Sequence, residues 1–138
     1  MLEYAELVRR LTPLVQCAVC LLLGVTVIVF NHFFLPGNAN EFSGAFIGIV
    51  FFTLLNNLMS IFNEAYKKYA LLSYSLYFLL TAVLLLLAKY MAQKSIWQLP
   101  TFRSMFLSVT IFYFVTSVFV RLIRAIYQFA LAEENEME

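Results

Sequence analysis

The chain has 138 residues, of which 63% are hydrophobic and only 12% are charged, against about 25% charged residues in an average soluble domain. A soluble fold of this length could not bury so much apolar surface. The net charge is +1, and basic residues are adjacent at most in pairs, so the sequence lacks the basic patch that nucleic-acid binding requires. The composition therefore predicts a membrane protein without a nucleic-acid partner.

Four apolar blocks follow one another along the chain, and almost all charges lie between them or at the ends. Each block has about the 20 residues that an α-helix needs to cross a bilayer. Thr101, which follows Pro100, is the predicted N-cap of the fourth helix. We therefore predict an all-α polytopic membrane protein, one domain with four transmembrane helices in an antiparallel bundle. The predicted spans are residues 13–34, 44–62, 70–89 and 101–120, and an acidic cytoplasmic tail covers residues 129–138.

Lysine and arginine mark the cytoplasmic side of membrane proteins with short loops. Along the alternating path, six of these residues fall on one side and three on the other, which predicts that both termini are cytoplasmic. The first block is too long for a signal peptide and lacks a small-residue cleavage site after it. We expect an integral protein of the bacterial inner membrane. The six basic residues on the predicted cytoplasmic side are Arg9, Arg10, Lys67, Lys68, Arg121 and Arg124, and the three on the outer side are Lys89, Lys94 and Arg103.

Polar side chains are costly against lipid, so their positions around a helix indicate which face is turned towards protein. At ~100° per residue, the polar residues of the second helix lie within about a third of its circumference. Gly44 and Gly48 lie on the opposite face, at a small-xxx-small spacing that permits close approach of two backbones. The stripes are Thr53, Asn56, Asn57, Ser60 and Glu64 on the second helix, Tyr113, Thr116, Ser117, Arg121, Arg124 and Gln128 on the fourth, and the weaker Gln16, Cys20, Gly24 and Asn31 on the first.

These stripes admit two interpretations. They form hydrogen bonds between helices and with a partner, or they line a path for water, ions or a polar headgroup. An ion path usually needs an ionisable group at membrane depth, whereas this chain has no Asp and only Glu64 near the boundary of a span. We therefore expect faces for helix packing or partner binding, with Glu64 paired to Arg121 or Arg124 at the cytoplasmic surface.

The sequence offers little for chemistry. Cys17 and Cys20 have the C-x-x-C spacing of dithiol redox sites, but an apolar helix makes a thiol inert and the chain has no second pair to relay electrons. His32 is the only histidine, so one chain cannot form a metal cluster or a proton relay from several histidines. A catalytic triad and a glycine-rich phosphate loop are equally missing. We predict no enzyme activity, no cofactor and no metal site.

The segment Glu64-Ala-Tyr-Lys67, together with Gly44 and Asn56, resembles the ATP synthase subunit I proteins. These are small four-helix membrane proteins that assist assembly of the Fo rotor. In that family a Glu-x-x-Lys step opens the third helix, and the second helix starts with small residues and contains an Asn. The resemblance covers the second and third helices, and the longer basic loop that usually precedes the step is missing here. It implies an Fo ring or a related ion-translocating complex as the partner.

We predict a non-enzymatic accessory or assembly subunit that contacts the bilayer and binds another integral membrane protein or a second copy of itself. Two alternatives stay open. A small transporter or channel would function as a homo-oligomer with Asn56, Asn57, Tyr113 and Ser117 along its path. A membrane-disrupting effector such as a holin would fit the size and hydrophobicity of the chain.

Overall fold

The computed structural model describes residues 12–62 and 66–137, together with Glu3 and Glu6. Residues 12–62 and 66–137 form four α-helices, one short 3-10 helix and no strand. All four α-helices are long and apolar enough to cross a membrane, which confirms the predicted all-α transmembrane fold. The α-helices are α1 (Pro13–Phe34), α2 (Glu41–Phe62), α3 (Tyr66–Ala92) and α4 (Pro100–Glu136), and the 3-10 helix is Ile96–Gln98.

Three helices extend beyond the predicted spans. α2 begins at Glu41, α3 ends at Ala92, and α4 continues without a break to Glu136 through most of the predicted tail. The predicted lengths came from the thickness of the hydrocarbon layer. Backbone hydrogen bonding in a helix has no reason to stop at that boundary, because it is satisfied within the segment itself.

The N-cap prediction for α4 is wrong. Leu99 is the N-cap, and it contributes no side-chain hydrogen bond. Pro100 is the first helical residue. Proline is well tolerated there, because the N–H group that it lacks would have no partner within the helix. Thr101 therefore lies inside the first turn of α4.

Successive helices are antiparallel and run up and down across the bundle. The connection after α2 is short, and Asn56 of α2 lies beside Ser73 of α3 while Gly48 lies beside Leu84. As a result, α1 begins and α4 ends on the same side, which we call the inner side. The turn formed by residues 35–40 and the 3-10 helix lie at the opposite, outer side.

α1, α2 and α3 form a closely packed core, and glycines let two of these helices approach. A Cβ atom on Gly44 would lie 2.6 Å from the backbone nitrogen of Ile28 in α1. A Cβ atom on Gly48 would lie 3.0 Å from the backbone oxygen of Cys20. The small-xxx-small pair of α2 thus serves the contact between α1 and α2.

α4 is the least buried helix of the bundle. Only 17% of its apolar membrane window is buried, against 33–39% in the other three helices. It packs chiefly on α2, and aromatic rings fill the space between α4 and α3. Tyr77 of α3 stacks on Tyr113 of α4 with ring centroids 4.6 Å apart, and Tyr74 stacks on Phe114 at 5.5 Å.

The outer turn is fixed by side chains of α1, of α2 and of the turn itself. Asn31 donates to the backbone oxygen of Asn40 at 2.8 Å, and Asn40 donates to the backbone oxygen of Leu35 at 2.9 Å. His32 Nδ1 lies 2.9 Å from Glu41 Oε1. These contacts set the distance between the outer ends of α1 and α2.

Candidate functional site

The polar residues of the bundle converge on Asn56. Its Nδ2 donates to Gln16 Oε1 of α1 at 3.2 Å and to Ser73 Oγ of α3 at 2.8 Å. Its Oδ1 accepts from the hydroxyl of Tyr113 of α4 at 3.0 Å. Both amide hydrogens and the amide oxygen of Asn56 are therefore used, and one side chain connects all four helices.

Two further bonds extend this network. Gln16 Nε2 donates to the Tyr69 hydroxyl at 2.8 Å, and Ser73 Oγ donates to the backbone oxygen of Tyr69 at 2.7 Å. We call Gln16, Asn56, Tyr69, Ser73 and Tyr113 the polar hub. All five are buried. In a low dielectric a satisfied network fixes the arrangement of its members, since any other arrangement leaves a buried polar group unpaired.

α2 and α4 meet again on the inner side of the hub. Asn57 Nδ2 donates to Thr116 Oγ1 at 2.5 Å. Arg124 Nη1 donates to the backbone oxygens of Ser60 and Ile61, each at 3.0 Å. These oxygens belong to the last described turn of α2, and the carbonyl end of a helix carries a partial negative charge. The guanidinium of Arg124 thus binds the end of α2, and the polar stripes of α2 and α4 face each other.

α3 and α4 are joined mainly through tyrosines. The Tyr74 hydroxyl donates to Ser117 Oγ at 2.8 Å, and Arg121 Nη2 donates to the same hydroxyl at 3.3 Å. The guanidinium of Arg121 also lies 6.0 Å from the centre of the Tyr74 ring, a cation–π geometry. Tyr77 and Thr110 share a hydrogen bond of 2.8 Å closer to the outer side.

The other predicted residues have more local roles. Thr53 is buried but donates to the backbone oxygen of Val50 within its own helix. Ser60 Oγ likewise donates to the backbone oxygen of Asn57. Glu64 lies outside the described residues, so its pairing with Arg121 or Arg124 stays a prediction.

Sequence reasoning missed the contribution of α3. Tyr69, Ser73 and Tyr74 were assigned to no polar face, although two of them belong to the hub. A signal was present, because Tyr69, Ser73, Tyr77 and Thr81 follow one another at intervals of four residues, which places them on one side of a helix. Single hydroxyl groups among many Leu residues made this stripe less conspicuous than the paired asparagines of α2.

The two cysteines of α1 lie inside the bundle. Cys17 and Cys20 are both buried free thiols, and Cys17 Sγ lies 4.0 Å from the backbone oxygen of Leu76 in α3. Among the residues that the structure describes, no group of three or more His, Cys, Asp or Glu side chains could hold a metal ion.

Two open grooves follow the contact between α2 and α4. The outer groove has a volume of about 610 Å³ and combines aromatic residues with the hydroxyls of Thr101, Ser104 and Ser108. The inner groove has a volume of about 640 Å³ and lies where α2 ends. The inner groove is lined by Ile61, Phe62, Ile123, Arg124, Tyr127, Gln128 and Leu131.

No protein-family model matches this chain, and neither a curated protein nor a solved structure matches it. The resemblance to the ATP synthase subunit I proteins therefore depends on its own few residues. Of these, Gly44 packs against α1, Asn56 is the centre of the hub, and Lys67 is exposed in the first turn of α3.

Proposed function

We propose that this protein is a non-enzymatic accessory or assembly subunit that binds another integral membrane protein through α4. The observation that carries the proposal is the low burial of α4, at 17% of its membrane window. Packing, rather than hydrophobic exclusion from water, drives helices together in lipid. A helix that is weakly packed within its own bundle has a large free surface for a partner helix.

The outer groove supports the same conclusion. Thr101, Ser104 and Ser108 line it and are exposed. Small hydroxyl residues at a membrane surface let a second helix approach closely and offer hydrogen bonds across the contact. The outer groove thus has the composition of a helix–helix interface and is open along one side.

The contacts inside the bundle favour a subunit over a pore. Asn56, Asn57, Tyr113 and Ser117, which the channel alternative would place along a path, each bond to another helix of the same chain. Lining a path would require these bonds to break, and each contributes on the order of 0.6–1.7 kcal/mol.

We further propose that the partner belongs to an ion-translocating complex such as an Fo rotor, and that the inner side faces the bacterial cytoplasm. The resemblance of Glu64-Ala-Tyr-Lys67 to the Glu-x-x-Lys step supports the first point. The excess of Lys and Arg on the inner side supports the second.

Purification from its own membranes in mild detergent, followed by native mass spectrometry, tests the proposal. We expect a foreign integral membrane protein in stoichiometric amount. The variant Ser108→Trp should lose it, because the indole fills the outer groove, whereas Leu107→Trp should retain it, because Leu107 is exposed on another face of α4. A pure homo-oligomer that passes ions in liposomes would contradict the proposal and support the channel.

A further inference from the structure

The inner end of α4 extends well beyond the rest of the bundle. Arg124 binds the carbonyls that end α2, so residues 125–136 project past this point by about 18 Å at ~1.5 Å per residue. The whole helix is about 55 Å long by the same measure, against ~30 Å of hydrocarbon in a bilayer. Residues near the end of α4 therefore lie in the headgroup layer or in water.

The inner groove continues a contact that already exists in the bundle. Tyr113, Ser117 and Val120 are the buried residues of α4 and face the other helices. At ~100° per residue, Tyr127 and Leu131 lie on the same side of α4 as these three. The side of α4 that is buried within the bundle thus continues for two more turns beyond Phe62, the last residue of α2.

This extension is apolar and uncovered in the part of the chain that the structure describes. Tyr127 is 65% exposed and Leu131 is 42% exposed, and Ile61 and Phe62 of α2 border the opposite end of the groove, towards the membrane. Apolar side chains at this depth no longer face lipid tails. They gain free energy when a partner covers them, so the groove fits the apolar side of another helix.

Among the described residues that line the inner groove, only Arg124 is charged, and its guanidinium is bound to the carbonyls of Ser60 and Ile61. The charges further along α4, beyond the groove, therefore select the kind of helix. After Arg124 the sequence contains four Glu residues and no base. Acidic residues near the surface are repelled by anionic lipid headgroups. They also oppose a second copy of this chain, because a copy of the same orientation in the same membrane would bring its own acidic end to the same side. Basic residues on the partner remove both objections.

We infer that the inner groove binds an amphipathic helix rich in Lys and Arg that belongs to the partner protein. Its apolar side covers Tyr127 and Leu131, and its basic side lies towards the acidic end of α4. This inference rests on the proposed function and identifies the chemistry of the partner at a second site on α4.

A designed peptide can test this inference with the full chain in nanodiscs of zwitterionic lipid. The probe is a fluorescent 18-residue helix of Leu and Lys at helical spacing, and a Leu and Glu helix of the same pattern is its control. Binding is measured as the increase in fluorescence anisotropy of the peptide, with nanodiscs that lack the protein as the reference. We expect saturable binding of the basic peptide only, weakened by salt and by neutralisation of Glu133, Glu134 and Glu136 to Gln.

The chain offers a matched pair of variants for the apolar contact. Leu131→Asn should weaken binding about fivefold, since burying the 42% of Leu131 that is exposed contributes ~1 kcal/mol. Phe129→Asn should leave binding unchanged, because Phe129 is 73% exposed and lies on the opposite side of α4. Both sites are exposed enough for the fold to tolerate the change.

Four results would overturn the inference. They are no binding of the basic peptide, equal effects of the two variants, self-association that Leu131→Asn abolishes, and binding that occurs only after Arg9 and Arg10 are changed to Gln. The last would assign the groove to the amino-terminal segment of this chain. If a foreign partner co-purifies but the peptide does not bind, the proposed function stands and the inference fails. If the peptide binds but no foreign partner co-purifies, the inference about the groove stands and the proposed function fails.

Discussion

Replacement of Asn56 by Leu should destabilise the bundle more than any other exchange of a single polar side chain within the hub. Leu has the same branching and number of side-chain heavy atoms as Asn, so little cavity is formed and hydrogen bonding is the main loss. Asn56 makes three bonds, to Gln16, Ser73 and Tyr113. At ~0.6 kcal/mol for an average bond in a membrane protein, the free energy of unfolding should fall by about 2 kcal/mol, with an upper bound near 5 kcal/mol.

Asn57→Leu is the matched control for this prediction. Asn57 is adjacent in α2 and donates one interhelical bond, to Thr116. Thr116 keeps its bonds to backbone oxygens of its own helix, so the loss should be only about 0.6 kcal/mol. Reversible unfolding in mixtures of SDS and mild detergent measures both variants.

A double-mutant cycle with Tyr113→Phe isolates one contact of the hub. The two changes should be less than additive, with a coupling of about 0.5 kcal/mol or more, because they remove the same hydrogen bond. Equal destabilisation by Asn56→Leu and Asn57→Leu, or strict additivity with Tyr113→Phe, would refute the role given to the hub.

Three further predictions concern packing, the thiols and orientation. Gly44→Ala should lower the free energy of unfolding by about 1–3 kcal/mol through overpacking, since the new Cβ atom would meet backbone atoms. Gly24→Ala should lower it less, because its Cβ atom would meet only the end of a Leu side chain. Unfolding in detergent compares the two variants. Replacing both cysteines of α1 by Ala should leave assembly intact apart from a small loss of stability, and loss of partner binding by a folded variant would contradict this. In that cysteine-free chain, a single Cys at Asn38 should react with impermeant reagent from outside intact cells and one at Asn135 should not; the reverse pattern would invert the proposed orientation.

The number and position of the helices could be predicted from the sequence because bilayer physics leaves few options. About 20 apolar residues between charged ends specify a spanning helix almost by length alone. The face of α2 that meets α4 was also accessible, since asparagines in lipid need partners and their positions around the helix show where partners must lie. Asn56 and Asn57 are such residues.

The partners of these asparagines could not be predicted in the same way. Which residue bonds to Asn56 depends on the order and relative rotation of helices, and neither follows from the pattern within one helix. The low burial of α4 was equally hidden, because its mean apolar character resembles that of its neighbours. Apolar residues that face lipid and apolar residues that face protein have the same composition, since lipid tails are as apolar as a protein core.

The distribution of contacts along α4 explains how it could bind a partner without loosening the bundle. Tyr113, Thr116 and Arg124 of α4 form hydrogen bonds with α2, and these residues lie between the two grooves or at the edge of the inner one. The outer groove lies before the first of these residues, and the uncovered part of the inner groove follows the last. A helix that entered either groove would displace lipid or water and would leave these bonds in place. Changes at Ser108 or Leu131 should therefore alter partner binding alone, whereas changes in the hub should alter folding and binding together.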